Sequence, residues 1–132
     1  MVRILVADDN PTVRHYLRTA LEQRCGWQVC EEAKTGGEVL QRVQEVLPDI
    51  ILLDFQMPEL NGIDTARQLS RLCPDIPILM VTVDFSKQLA AAAQSVGIRG
   101  ACAKSEVASI VEGVEALLHQ ETYFPEISAM GV

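Results

Sequence analysis

Four branched aliphatic residues, Ile50-Ile51-Leu52-Leu53, stand in a row between Pro48 and Pro58, with an acid directly after them at Asp54. A run that short and uniform predicts a strand covered on both faces, as in the middle of a parallel sheet. Ile4-Leu5-Val6-Ala7 repeats the pattern inside a strand placed at residues 3–8, and it too closes on acids, Asp8 and Asp9. After it Asn10 reads as a helix N-cap with Pro11 in the first helical position. Val13, Tyr16, Leu17, Ala20 and Leu21 then recur at helical spacing until Gly26. Trp27 to Glu31 alternates as an edge strand does. Gly36 to Leu47 predicts a second helix, with Val39, Leu40, Val43, Val46 and Leu47 on one face. Beyond the turn at Asn61-Gly62, a third helix is marked by Ile63, Ala66, Leu69 and Leu72. Ile76 to Val81 is another solid apolar run ending at Thr82, with Pro77 tolerable only near its start. An alanine-rich helix from Asp84 to Val96 is closed by Gly97, and Gly100 to Ala103 forms a short strand before Lys104. Glu106 to His119 is the last helix. This alternation predicts an α/β fold, a doubly wound parallel sheet with helices on both faces.

Composition narrows the class without changing that picture. A length of 132 residues suits one domain, and no internal repeat interrupts it. No apolar run is long enough to span a bilayer and the first residues do not read as a signal peptide, so no membrane partner is expected. The net charge of −7, without a basic stripe, argues against direct contact with nucleic acid. Cys25, Cys30, Cys73 and Cys102 form no CxxC pair and only two histidines are present. They are expected to be reduced, small, buried hydrophobes in a cytoplasmic protein.

The chemistry gathers at one edge. Under this topology the strands end in Asp8 and Asp9, Asp54, Thr82 and Lys104, all at the C-terminal side of the sheet. Carboxylates so placed repel unless one takes up a proton or a cation neutralises them. An oxygen-only ligand set favours a hard ion, Mg²⁺ above transition metals. Lys104 offers a point charge and Thr82 a hydroxyl, both suited to a phosphoryl group, and a carboxylate can serve as nucleophile to give an aspartyl phosphate. Asp54, alone at the central strand tip, is the natural acceptor. Each residue also has a plainer reading. Asp8 and Asp9 could favour the first helix dipole, Thr82 could cap the helix near Asp84, and Lys104 could be a surface lysine. Together those readings need four coincidences at one edge. A dehalogenase-like phosphatase would want an acid where Gln56 stands, and a flavin-phosphate carrier would not put Asp8-Asp9-Asn10-Pro11 in its phosphate loop.

Asp8-Asp9, the run from Asp54 through Gln56, Met57 and Pro58 to Asn61-Gly62, then Thr82 and Lys104, together resemble the signature of response-regulator receiver domains, over about residues 2 to 120. The resemblance implies a flavodoxin-like sheet of order 2-1-3-4-5 with five helices. It implies that Asp54 takes phosphoryl from a sensor histidine kinase, catalysing only its own phosphorylation and slow dephosphorylation. Asp9, Asp54 and the Gln56 carbonyl would hold Mg²⁺, with Asp8 helping through water, and Thr82 and Lys104 would contact the phosphoryl oxygens. The run from Leu118 to Ile127 resembles the hinge of NarL/LuxR-type regulators. That implies a receiver at 1–120, an interdomain linker or disordered tail at 121–132, and a helix-turn-helix DNA-binding output domain outside this chain. The alternatives are a stand-alone receiver and a phosphorylation-independent pseudo-receiver acting as an interaction module. Partners implied are the kinase, the protein's own output domain or an effector, and a second copy on phosphorylation. Three departures from the family pattern stand out: Val83 where a small residue is usual, Ala101 where an aromatic often sits, and Gln56 with Asp84, two residues beyond Asp54 and Thr82, at positions that by the resemblance tune phosphoryl lifetime.

Overall fold

The structure, a computed structural model, describes residues 1–125. Its elements alternate as β1 (Val2–Ala7), α1 (Pro11–Glu22), β2 (Trp27–Ala33), α2 (Gly36–Val46), β3 (Ile50–Asp54), α3 (Gly62–Leu72), β4 (Ile78–Thr82), α4 (Lys87–Ser95), β5 (Gly100–Ala103) and α5 (Val107–Leu118). The strands form one parallel sheet in the order β2-β1-β3-β4-β5, the expected flavodoxin-like arrangement.

Every residue of β3 and β4 is buried, which is why their sequences carry no polar alternation. Leu5, Ile51, Leu53, Met80 and Ala101 pack on one side of the sheet with Val39 and Val43 of α2, Ala66 and Leu69 of α3 and Ala93 of α4. Ile4, Ile50, Leu52, Leu79 and Cys102 pack on the other with Leu17 and Leu21 of α1 and Ile110, Val114 and Leu117 of α5. Each large aliphatic side chain taken fully out of water contributes about 1.5–3 kcal/mol before conformational entropy is counted. The parallel register sets Ala7 opposite Leu53, and Asp54 opposite Val81. The residues following each strand therefore emerge side by side.

Several boundaries differ from the sequence expectation. β4 starts at Ile78 rather than Ile76, because the Ile76 N–H is taken by Cys73 O in the turn that closes α3. Pro77 precedes the strand, its carbonyl accepting from Ile51 N–H at 3.0 Å. α4 starts at Lys87 rather than near Asp84, capped by the Ser86 hydroxyl, which accepts from Leu89 N–H at 3.1 Å. α1 stops at Glu22, before Gly26, whose φ of +83° serves the turn into β2. β2 runs on to Ala33, since Glu31, Glu32 and Ala33 pair with Leu5, Val6 and Ala7 past a register shift. α2 ends at Val46, with Leu47 in the left-handed conformation as its C-cap. The cysteines also differ: Cys102 alone is fully buried, Cys30 and Cys73 are half-buried and Cys25 is exposed, and all four are free thiols.

Past α5 the chain turns at Gln120, φ +63°, and comes back along the outer side of β5. There Tyr123 pairs in parallel with Gly100. Of the residues expected to form a linker or tail, 126–132 lie outside those described. Among the described residues no helix is long and apolar enough to cross a membrane.

Candidate functional site

Burial is the first fact about the site. Asp8, Asp54 and Thr82 are at most 2% exposed, although each begins or ends a loop. β1 delivers Asp8, β3 delivers Asp54, β4 delivers Thr82, and the residue after β5 is Lys104. The ammonium of Lys104 lies 2.7 Å from Asp8 Oδ2 and 3.1 Å from Asp54 Oδ2, so it spans two carboxylates. Its own N–H donates to Thr82 O at 2.8 Å, tying the two strand ends together.

The remaining oxygens have fixed partners. Asp8 Oδ1 accepts from Asn10 N–H at 2.9 Å, and Asp54 Oδ1 accepts from Gln56 N–H at 3.2 Å. Asn10 caps α1 through the N–H groups of Thr12 and Val13. The Arg14 guanidinium donates to Asp8 O at 2.7 Å, which anchors the β1 tip to α1. The Asp54 loop is closed by Gly62, whose N–H donates to Phe55 O at 2.7 Å. A Cβ at that position would lie 2.9 Å from Asp54 O and from Phe55 Cα, so only glycine permits the approach.

Electrostatically the site carries more acid than base. Burial, and after it the charge of Asp8, push the Asp54 carboxyl up to about 6, while Lys104 and the Gln56 N–H work the other way. Burial disfavours the charged form of Lys104, but Asp8 and Asp54 outweigh it, and its pKa is raised. One carboxylate oxygen from each of Asp8, Asp9 and Asp54 lies within 4.8 Å of the others. Buried Asp8 Oδ2 has the Lys104 charge beside it but no directed hydrogen bond. Oxygen ligands only, excess negative charge and three carboxylates close enough to share an ion are what a hard divalent cation fits.

The residues expected from sequence thus meet in one place. Asp8, Asp9, Asp54 and Lys104 are in direct proximity, and Thr82 is buried at the tip of β4 beside them. Gln56 presents its backbone to Asp54 while its side chain is exposed. Thr82 is not the cap of α4, a role that Ser86 fills. Val83 is 67% exposed and stands outward from the sheet edge. Sequence reading did not anticipate the clamp from Arg14 or the close approach of Gly62. The second had a signal, glycine directly after the Asn61 N-cap. A surface groove lies near Asp49, Asp75 and Arg99, away from this chemistry.

Comparison with known proteins gives the arrangement its context. The response regulator receiver domain family matches residues 4–117. The chain is 40% identical over 83 residues to the response regulator GacA of Pseudomonas viridiflava, a match covering 63% of this chain and 39% of that protein. It is 31% identical over 124 residues to the transcriptional activator protein ExaE of Pseudomonas putida, covering 93% and 58%. The chain spans less than two thirds of either relative. Among solved structures, a LuxR-family two-component response regulator from Aurantimonas sp. superposes with a TM-score of 0.93 at 31% identity, covering 98% of this chain and 94% of that one. The receiver domain of the response regulator NarL from Mycobacterium tuberculosis gives 0.84 at 27%, covering 89% and 96%. The parallel sheet, its acidic edge and these likenesses agree, and the chain belongs to the receiver domain family of two-component response regulators.

Proposed function

We propose that Asp54 is the phosphoacceptor of this receiver, taking phosphoryl from a sensor histidine kinase. The observation that carries the reading is a buried carboxylate at the tip of β3, with an ammonium 3.1 Å away and two more carboxylates close enough to share a cation. Asp8, Asp9, Asp54 and the Gln56 carbonyl would hold Mg²⁺, with Asp8 acting through water. When bound, the ion supplies positive charge that offsets repulsion between the carboxylates and an incoming phosphoryl group.

The chain's own residues do the rest. An Asp54 oxygen attacks phosphorus, the bond from phosphorus to the donor's imidazole nitrogen breaks, and that nitrogen keeps the electron pair. With its other ring nitrogen protonated the donor leaves as neutral imidazole, and an acyl phosphate remains on Asp54. Lys104 and the Thr82 hydroxyl hold the phosphoryl oxygens as charge leaves the carboxylate. The protein turns over nothing beyond its own phosphorylation and slow hydrolysis.

The likeness to NarL/LuxR-type regulators, with the chain spanning 39–58% of GacA and ExaE, supports a receiver at 1–120 followed by a linker. The output in this reading is a helix-turn-helix DNA-binding domain, driven by pairing of two receivers on phosphorylation in the cytoplasm. The test of the acceptor chemistry is incubation with acetyl phosphate, with and without Mg²⁺. A hydroxylamine-labile phosphoryl label that appears only with Mg²⁺ is expected, and no label with Mg²⁺ present overturns the reading.

A further inference from the structure

β5 has four residues and carries Lys104 at its end, yet among the described residues it has a neighbouring strand of the sheet on one side only. Its other side is covered by the segment Thr122–Phe124. Ala101 N–H donates to Tyr123 O at 2.9 Å, and Tyr123 N–H donates to Arg99 O at 2.9 Å. Over that stretch an edge strand becomes an interior one.

The seat beneath this strap is shaped for it. The Tyr123 ring packs with the cluster containing Cys102 and Ile110, while Phe124 packs with the cluster containing Ala101, so a ring closes each face of the sheet edge. A Cβ at Gly113 would stand 3.0 Å from Tyr123 Cδ2, and one at Gly100 would stand 3.0 Å from Tyr123 O. Both glycines leave room the strap uses. The phenol shares a hydrogen bond with Ser109 Oγ at 2.8 Å and donates to Glu112 at 3.3 Å.

A four-residue strand paired on one side frays more readily than one paired on both. β5 meets the phosphoacceptor site through Lys104 N–H to Thr82 O and through the ammonium over Asp8 and Asp54. We propose that Tyr123 is a positioning residue for Lys104: docking of the strap holds β5 in register and so keeps the ammonium where phosphoryl oxygens arrive. The inference rests on Asp54 being the phosphoacceptor. It also gives the C-terminal segment a part in the chemistry, besides any link to an output domain.

The test is binding of beryllofluoride, an acyl-phosphate mimic, to the whole chain in the presence of Mg²⁺, followed by fluorine NMR. The wild type binds, and Tyr123→Ala binds at least about fivefold more weakly, the lower range of ordinary site-to-site coupling. Tyr123→Phe keeps the ring and the backbone pairing and stays near wild type. In a Lys104→Ala background, Tyr123→Ala costs nothing further, because the strap acts through that lysine. A general loss of structure would persist in that background. If circular dichroism shows Tyr123→Ala unfolded, Phe124→Ala loosens the strap from its other face and is held to the same expectations. Wild-type affinity in the alanine variant, or an undiminished loss without Lys104, overturns the proposal. Failure of the wild type itself to bind overturns the phosphoacceptor reading instead.

Discussion

Asp54 is a carboxylate kept against its preference, out of water and beside Asp8, with Lys104 offsetting only part of the cost. Its pKa rises from 3.8 to about 6 on folding, so between those values the folded chain holds the proton more tightly than the unfolded one. Stability from this group is therefore complete below pH 4 and is lost as pH rises through about 6, an effect on the order of 2–3 kcal/mol. Asp54→Asn should be more stable than wild type at pH 7 by that order, with the gap closing as pH falls toward 4. Urea denaturation at several pH values measures it, and a less stable variant at pH 7 would contradict the account. The same charge competition applies to a cation. Mg²⁺ needs the ionised carboxylate, so its affinity should fall as pH drops through about 6, which calorimetry reads directly. Asp9 differs from its neighbours in being exposed. Asp9→Asn should abolish Mg²⁺-dependent labelling by acetyl phosphate while leaving the melting temperature unchanged or raised, because a ligand and a source of repulsion disappear together.

The loop between β3 and α3 shows what an element asks of a single position. Gly62 begins α3, where alanine would ordinarily be preferred by up to about 1 kcal/mol. Here the added methyl meets Asp54 O and Phe55 Cα at 2.9 Å, both backbone, so the loop must shift rather than a side chain swing away. Overpacking of that kind costs about 1–3 kcal/mol and wins. Gly62→Ala should melt lower and label more slowly, and a melting temperature at or above wild type would count against this reading of the loop. Elements were legible wherever one signal dominated. The uniform aliphatic runs marked β1 and β3, and the Asn10-Pro11 start marked α1. The starts of β4 and α4 were not, because Ile76 looks as apolar as the strand it precedes, and Asp84 competes with Ser86 as a cap. Which of two plausible caps is used depends on where the loop leaves Thr82, a tertiary matter. The extension of β2 to Ala33 is similar, since Glu31 and Glu32 break the apolar pattern while the ladder to β1 carries on.

For the molecule as a whole, the acidic edge could be read from the chain because four of the five strands, β1, β3, β4 and β5, deliver a functional residue at the end of their apolar runs. Adjacent acids at the tips of two neighbouring strands needed only the sheet order to be brought together. The contact of Lys104 with Asp8 was less accessible, as it bridges residues 96 positions apart across the strand tips. The Tyr123 strap was not legible, since its partners are backbone atoms of β5 and the space left by two glycines. Charge acts at this scale too. A domain of net charge −7 should show no shift of duplex DNA in a gel at physiological salt. The most direct test of the central claim is intact mass after incubation with acetyl phosphate and Mg²⁺, for wild type and Asp54→Asn side by side. The wild type should gain the mass of one phosphoryl group and the variant none. An unmodified wild type, or a variant modified to the same extent, would contradict the assignment of Asp54.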